Sequence, residues 1–320
     1  MKLSKILHLM WMVPAAFIFS CQAQNSGGVN PLPNFDVMWD YNNPAETEEI
    51  FSAILKGLKN NAESSYDQNY HVELLTQIAR TQGLQGMFDE ANKTLNEAEQ
   101  LLTDNTRTGK IRYLIELGRV NLSSGDPQKA KDIFLQAHDY GLDNNLDYYL
   151  MDTIHMLGII GTPKEQIEWN LVALELAEKT EDLRAKTWLG PLYNNIGWSY
   201  HDSGDYAVAL EYFQKGYEFR QTQADENATR IAKWAVARAM RSLERYDEAL
   251  MIQLELEQEI EAQNLPKDGY VYQELAEIYL VQNNPESKKY FKLAYDVLSQ
   301  DNWVVENHSD TLKRMKKLSE

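Results

Sequence analysis

The side chains best suited to catalysis or metal binding are few in this sequence, and they are scattered. The serines lack the G-x-S-x-G spacing of a nucleophile elbow, and no Gly-rich phosphate-binding loop is present. Carboxylate pairs are frequent, but in a chain with 48 acidic residues such pairs arise by chance and are typical of solvated helix faces. Beyond the first twenty residues, no two histidines are spaced i, i+4 as metal ligands on a helix; they are His71, His138, His155, His201 and His308. The sequence therefore predicts a non-catalytic protein without a cofactor or a bound metal.

The single cysteine, Cys21, has a position that indicates its chemistry. Residues 1–20 carry two lysines and then an apolar run broken by a histidine and a proline, which is the pattern of a secretory signal peptide and too short to span a membrane. The stretch Ile-Phe-Ser-Cys at 18–21 resembles the bacterial lipobox, in which the cysteine is acylated, for instance with palmitate, and becomes the new N-terminus. Gln22, by resemblance to Gram-negative lipoproteins, implies delivery to the periplasmic side of the outer membrane. The alternative is a cleaved signal that leaves Cys21 as a free thiol.

The overall charge limits the partners. Lysine and arginine number 31 against 48 acidic residues, so the net charge is −17. A surface of this sign repels a polyanion, which makes nucleic acid an unfavourable partner. With 43% hydrophobic and 11% aromatic residues, the chain has enough apolar side chains to bury a core.

Residues 21–44 are predicted to be a lipidated cysteine followed by a flexible tether. The segment is rich in Asn, Pro and Gly and has no apolar periodicity. Four of its side chains, however, are too apolar for a pure linker: Phe35, Met38, Trp39 and Tyr41. We expect these residues to dock onto the first helices; the alternative is that they bind a ligand.

Internal repeats are the clearest organising signal. One unit reads LYNNIGWSYHDSGDYAVALEYFQKGYE from Leu192, and it places Gly197 twelve residues before Ala209 and sixteen before Phe213. A second copy has the same spacing from Gly118 to Ala130 and Phe134. Both resemble the tetratricopeptide repeat (TPR), a helix-turn-helix unit in which small residues let the two helices approach closely. Weaker copies follow the same spacing from Ala79, Ile154, Ala237 and Ala276.

The resemblance implies an all-α, right-handed α-solenoid of about six TPR-like repeats with terminal capping helices, and no strand. The copy that begins at Ala276 has its next small residue, Ala294, one position early, which predicts a shortened turn. The predicted segments are a signal peptide at 1–20, the tether at 21–44, an N-terminal capping helix at 45–66, repeats at 67–300 and a C-terminal capping helix at 301–320, with a helix from Trp303 to Leu318.

The resemblance also implies a concave groove lined by the first helix of each repeat. Arginine and asparagine there can bind carboxylates and peptide amides, and tryptophan gives rigid apolar contact. The alternative is that the tryptophans pack between repeats and the arginines neutralise neighbouring acidic faces. The predicted partner-binding residues are Arg80, Arg112, Arg119, Asn194, Asn195, Trp198, His201, Trp234, Arg238 and Arg241, and the same mapping places Glu116, Tyr148, Asp152, His155, Tyr270, Gln273, Glu274 and Glu277 in the groove.

Two functional classes fit these features. The first is a non-catalytic scaffold or adaptor, anchored by its lipid in the cell envelope, that presents the groove to a protein or an extended peptide. The second is an enzyme or small-ligand receptor with its site inside the superhelix. In the first class we expect the groove arginines to contact the partner, so that reversing Arg112 and Arg119 leaves stability nearly unchanged; binding on the acidic convex face is the alternative.

Overall fold

A computed structural model describes residues 32–60 and 66–320 of the chain. In these ranges the regular structure is helical throughout, with no strand. This confirms the predicted all-α class of helix-turn-helix repeats. The described chain forms two compact units, an N-terminal unit that ends at Trp188 and a C-terminal unit from Leu189 to Glu320.

The N-terminal unit contains three repeats, each made of a first and a second helix. A short 3-10 turn, Phe35–Met38, precedes the helices. Neighbouring helices along the chain pack against one another, and the first helices of the first two repeats also pack together. The helices are α1 (Pro44–Asn60), α2 (Gln68–Leu84), α3 (Phe88–Glu99), α4 (Arg107–Ser123), α5 (Pro127–Asp143), α6 (Asp147–Ile160), α7 (Pro163–Lys179) and α8 (Leu183–Lys186).

The C-terminal unit contains the other three repeats and two short closing helices. Its second closing helix packs against the last repeat and buries Leu312 and Met315 there. The helices are α9 (Leu189–Asp202), α10 (Tyr206–Gln221), α11 (Glu226–Ser242), α12 (Tyr246–Ala262), α13 (Gly269–Val281), α14 (Glu286–Leu298), α15 (Asn302–Asn307) and α16 (Ser309–Ser319).

The Gly-Asp pair in the two clearest repeats explains how each first helix turns into its second. Gly125 and Gly204 have φ of 100° and 87°, a left-handed conformation that costs glycine little. The next residue begins the second helix: the side chains of Asp126 and Asp205 accept hydrogen bonds from the backbone N–H three residues on. The dipeptide therefore ends one helix and caps the next.

The predicted contact between the two helices of a repeat is present. A Cβ atom on Gly118 would lie 2.4 Å from the Phe134 ring, and one on Gly197 would lie 2.5 Å from the Phe213 ring. Both rings are almost completely buried. Small residues are thus required because the aromatic ring of the second helix occupies the space of their side chains.

The last two repeats depart from this pattern. In the fifth, Gln253 is completely buried at the position of the phenylalanine ring. In the sixth, Ser287 and Phe291 are buried while Lys288 is exposed, so the buried face of α14 comes one residue early, as the predicted short turn requires.

The two ends of the chain differ from the sequence-based expectation. The predicted helix from Trp303 to Leu318 is divided into α15 and α16, because His308 between them has a non-helical backbone (φ −128°, ψ 30°). Residues 32–43 of the predicted tether pack onto the N-terminal unit, where Phe35 is buried. The predicted signal peptide, Cys21 and residues 22–31 lie outside the described residues. Within the described ranges, no helix combines the length and the apolar character needed to cross a bilayer.

Candidate functional site

The predicted groove residues all lie on first helices, in two sets that belong to separate units. We call the set on α2, α4 and α6 the N-terminal face; it contains Arg80, Arg112, Glu116, Arg119, Tyr148, Asp152 and His155. We call the set on α9, α11 and α13, together with Arg314 of α16, the C-terminal face; it contains Asn194, Asn195, Trp198, His201, Trp234, Arg238, Arg241, Tyr270, Gln273, Glu274 and Glu277.

Arg112 is the most enclosed cation of the N-terminal face, with 7% of the residue exposed. Its Nη2 lies 2.6 Å from a carboxylate oxygen of Asp36, and its Nε lies 2.9 Å from Glu73 Oε2. Burial acts to lower the pKa of Arg112, but Tyr149, Asp36 and Glu73 outweigh it and raise the pKa. Arg112 is therefore a buried cation with two carboxylate partners.

The other two arginines of this face share one buried carboxylate. Glu116, whose side chain is 4% exposed, lies 3.3 Å from Arg80 and 2.5 Å from Arg119. Arg119 also pairs with Asp152 on the next first helix. Burial favours the neutral form of Asp152, but Arg119 and Arg80 outweigh it and hold the pKa of Asp152 below its usual value.

These ion pairs show that Arg112 and Arg119 hold helices together, which the sequence analysis did not expect; their contact with a partner stays a prediction. Both arginines connect first helices of different repeats, and Arg112 also fixes the segment before α1. Sequence spacing placed them on the correct face but gave no sign of Asp36 or Glu73 as partners of Arg112. The one available signal was an acidic residue beside Phe35, in a segment already expected to dock.

A row of aromatic rings crosses the C-terminal face from α9 to α13. The rings of Trp198 and Trp234 lie 5.9 Å apart, and those of Trp234 and Tyr270 lie 6.0 Å apart. Trp198 also packs edge-on against Phe213 at 5.1 Å, so it does pack within the repeat. Tyr270 is 40% exposed. The indole nitrogen of Trp234 is buried and has no hydrogen-bond partner among the described residues.

The polar groups of the C-terminal face are only partly paired. Glu274, whose side chain is 2% exposed, accepts two hydrogen bonds from Arg241 and lies 3.3 Å from Nε of Arg238. Burial lowers the pKa of Arg238, and its side chain is 26% exposed. In the part of the chain that the structure describes, the side-chain amides of Asn194 and Asn195 make no hydrogen bond.

His201 is a buried side chain of the C-terminal face. It is 8% exposed, and its Nε2 lies 2.9 Å from the hydroxyl of Ser242, which also accepts a hydrogen bond from Arg238. Burial lowers the pKa of His201 to about 4, and the charges of Arg238 and Arg241 act in the same direction. His201 is therefore neutral at pH 7, mainly because it is buried and also because two arginines lie nearby.

No cluster of potential metal ligands is found on the described residues of either face. Within residues 32–60 and 66–320, no three His, Cys, Asp or Glu side chains are grouped so that they could hold a metal ion. The C-terminal face instead offers rigid aromatic rings, two side-chain amides and the partly exposed guanidinium of Arg238. Such groups bind peptides by apolar contact and hydrogen bonding.

Comparison with known proteins gives one family match and several similar structures. Residues 190–223, which span α9 and α10, match the model of the tetratricopeptide repeat. No curated protein is significantly similar in sequence to the chain.

Two solved structures share the fold. A signal-transduction ATPase with numerous domains that has a tetratricopeptide repeat sensor, from Pyrococcus horikoshii, gives a TM-score of 0.65 at 16% identity over 85% of this chain. The chain covers only 43% of that structure's length. BtubC (BKLC) from P. vanneervenii gives a TM-score of 0.57 at 16% identity, over 70% of this chain and 94% of that one. The described residues therefore have the fold of tetratricopeptide repeat proteins.

Proposed function

We propose that this protein is a non-catalytic interaction scaffold whose C-terminal face binds an extended peptide or a segment of a partner protein. The observation that carries the proposal is the row of aromatic rings that Trp198, Trp234 and Tyr270 form across three repeats, in which Tyr270 is 40% exposed. Partly exposed rings in a row give an extended peptide a rigid apolar surface to pack against. No observation on the described residues favours the alternative of an enzyme or small-ligand receptor.

The composition of the face supports a peptide ligand. The rings of Trp198 and Tyr270 lose little conformational entropy when they bind, because each has only two side-chain torsions. The amides of Asn194 and Asn195 provide donors and acceptors that match those of a peptide backbone. A chain in extended conformation presents such groups at regular intervals, so it can use several repeats at once.

The charge of the face favours a carboxylate in the ligand. Three arginines, Arg238, Arg241 and Arg314, stand against two carboxylates, Glu274 and Glu277. Arg238 is the least compensated of the three, because its pKa is lowered by burial while those of Arg241 and Arg314 are raised by their carboxylate partners. A ligand carboxylate at Arg238 forms a charge-assisted hydrogen bond in a partly desolvated site.

Site-specific photo-crosslinking tests the scaffold proposal. A photoreactive residue at position 195, on the C-terminal face, is expected to give a defined protein adduct in cells, whereas one at the exposed position 211 of α10 gives none. Arg238→Gln should weaken the adduct at position 195 by about tenfold or more, which corresponds to about 1.4 kcal/mol of binding free energy. Adduct yield is measured on blots of the tagged chain.

Arg245→Gln is the matched control, because Arg245 is a half-buried arginine just before α12, a second helix, and among the described residues its ion pair is with Glu248 of that helix. It should keep the adduct, and circular dichroism should show the same helical content for both variants. Adducts that form only at position 211, or that ignore Arg238→Gln, would place binding on the second-helix side and contradict the proposal.

We propose further that the chain is anchored by lipid to the periplasmic side of the outer membrane. The support is the signal-like segment 1–20 followed directly by the chain's single cysteine. Labelled palmitate should be incorporated into the wild-type protein and not into Cys21→Ser, which should leave the membrane fraction because its acyl chains are missing. A wild-type protein found entirely in the aqueous fraction would show that this anchor does not exist.

A further inference from the structure

Residues 32–43, which we call the arm, lie on the N-terminal face without adding a helix to the repeats. Phe35 is the only arm side chain that is fully buried, at 5% exposure. Its ring contacts those of Phe51 and Tyr70, at centroid distances of 6.1 and 5.2 Å. The guanidinium of Arg112 lies 5.3 Å from the same ring. Phe35 therefore anchors the arm in a pocket made by α1, α2 and α4.

The neighbouring carboxylate completes this anchor. Both oxygens of Asp36 accept hydrogen bonds from Nη2 of Arg112, at 2.8 and 2.6 Å. The hydroxyl of Tyr70 donates to the backbone carbonyl of Pro33 at 2.7 Å. The face thus recognises a ring, an adjacent carboxylate and a backbone carbonyl, which are the elements of sequence-specific peptide recognition.

Three residues further on, Trp39 makes the second anchor. Its Nε1 donates to Gln77 Oε1 at 3.0 Å, and its ring stacks on that of Tyr41 at 4.7 Å. The guanidinium of Arg80 lies within 6 Å of both rings, which is cation–π range. The arm therefore touches two of the three arginines of the N-terminal face, Arg80 and Arg112.

The arm has the properties of a ligand that can leave. Leu32, Val37 and Met38 are exposed, so the contacts are concentrated in Phe35, Asp36 and Trp39. Arg112 keeps Glu73 as a partner at 2.9 Å when Asp36 is removed, and Arg80 keeps Glu116. The charges that the arm covers are thus compensated without it, and its departure leaves a prepared site instead of unpaired buried ions.

We propose that the N-terminal face is a second peptide site, that the arm is its intramolecular ligand, and that it binds partner peptides with an aromatic–acidic pair followed three residues later by tryptophan. This inference rests on the proposed scaffold function in that it assigns a partner class to a first-helix face. It concerns a different unit from the C-terminal face. The crosslinking at position 195 and the experiment below can therefore fail separately.

Tethering explains how the arm and a partner compete. The arm continues directly into α1, and a ligand on so short a connection has an effective concentration on the order of millimolar. A free peptide with the same contacts reaches the face only in the fraction of molecules whose arm is released, which reduces its apparent affinity by that fraction. Releasing the arm by mutation should therefore raise the affinity for a peptide added in trans.

The test uses the full chain and a fluorescein-labelled synthetic peptide of residues 32–43, read by fluorescence anisotropy. The double variant Phe35→Ala/Asp36→Asn removes the first anchor of the arm but no residue of the face, and it leaves the second anchor, Trp39, in place. It is expected to bind the peptide at least about tenfold more tightly than the wild type. A peptide in which the same two residues are replaced should not bind either protein.

Val37→Ala is the matched arm control, because Val37 is 57% exposed; it should behave as the wild type. Equal binding to the wild type and the double variant, or no binding to the double variant when its helical content is unchanged, would overturn the proposal. A wild-type dimer that the double variant converts to a monomer would also overturn it, because the arm would then be docked on a second copy of the chain.

Discussion

Replacing Arg112 with glutamate is expected to lower the free energy of unfolding of the N-terminal unit by about 3–5 kcal/mol. The substitution puts a third carboxylate beside Asp36 and Glu73, which the arginine now holds at 2.6 and 2.9 Å. Removing one partner of a buried ion pair is costly because the remaining charge stays in a site that water reaches poorly. The hydroxyl of Tyr149, 3.3 Å from Arg112 Nε, does not offset a negative charge.

Urea unfolding followed by circular dichroism measures this effect. Arg107→Glu is the matched control: the same charge change on the same helix, at an exposed position in its first turn. A negative charge near a helix N-terminus is favourable, so the control should unfold within about 0.5 kcal/mol of the wild type. An Arg112→Glu protein as stable as this control would mean that the ion pairs do not support the fold.

This prediction replaces the sequence-based expectation that reversing Arg112 and Arg119 leaves stability unchanged. Arg119 is 18% exposed at its side chain and bridges Glu116 to Asp152, so it too connects helices of different repeats. Charge reversal at these positions destabilises the fold, so a variant that no longer binds its partner protein does not identify a binding contact. Binding is better tested at Arg238 and in the arm.

Gly197→Leu is expected to destabilise the C-terminal unit by about 1–3 kcal/mol or more. Even a Cβ atom at this position would lie 2.5 Å from the Phe213 ring, and the ring is 2% exposed. A leucine therefore requires α9 and α10 to separate or the ring to leave its pocket. Both responses lose packing across the repeat that matches the tetratricopeptide model.

Thermal unfolding of the two variants Gly197→Leu and Gly57→Leu provides the comparison. Gly57 is an exposed helical glycine of α1, and a Cβ atom added to it would have no neighbouring atom within 4 Å. Leucine has a higher helix propensity than glycine, so the control should melt at or slightly above the wild-type temperature. An unchanged melting temperature for Gly197→Leu would show that Gly197 does not lie at the contact between the two helices of its repeat.

The repeats could be read from the sequence because their information is local. Gly118, Ala130 and Phe134 lie within one helix-turn-helix unit, and the Gly-Asp turn between them fixes how the two helices meet. The same spacing located the four weaker copies. It also located the early small residue of the sixth repeat, Ala294, which is fully buried. Burial of Phe35 was predictable as well, because an aromatic side chain in a polar linker gains free energy by leaving water.

The tertiary structure decided which partners the side chains on the two faces contact. Arg112 and Asp36 are 76 residues apart in sequence. No periodic pattern in the sequence links the arm to α4, the helix that carries Arg112. The aromatic row from Trp198 to Tyr270 likewise joins three repeats. Helix formation and the packing of a repeat depend on neighbours at fixed spacing, whereas pairing of charges depends on where distant segments cross. The sequence by itself therefore determined which residues lie on the first-helix faces. Only the tertiary structure decided which of these residues already have partners within the chain.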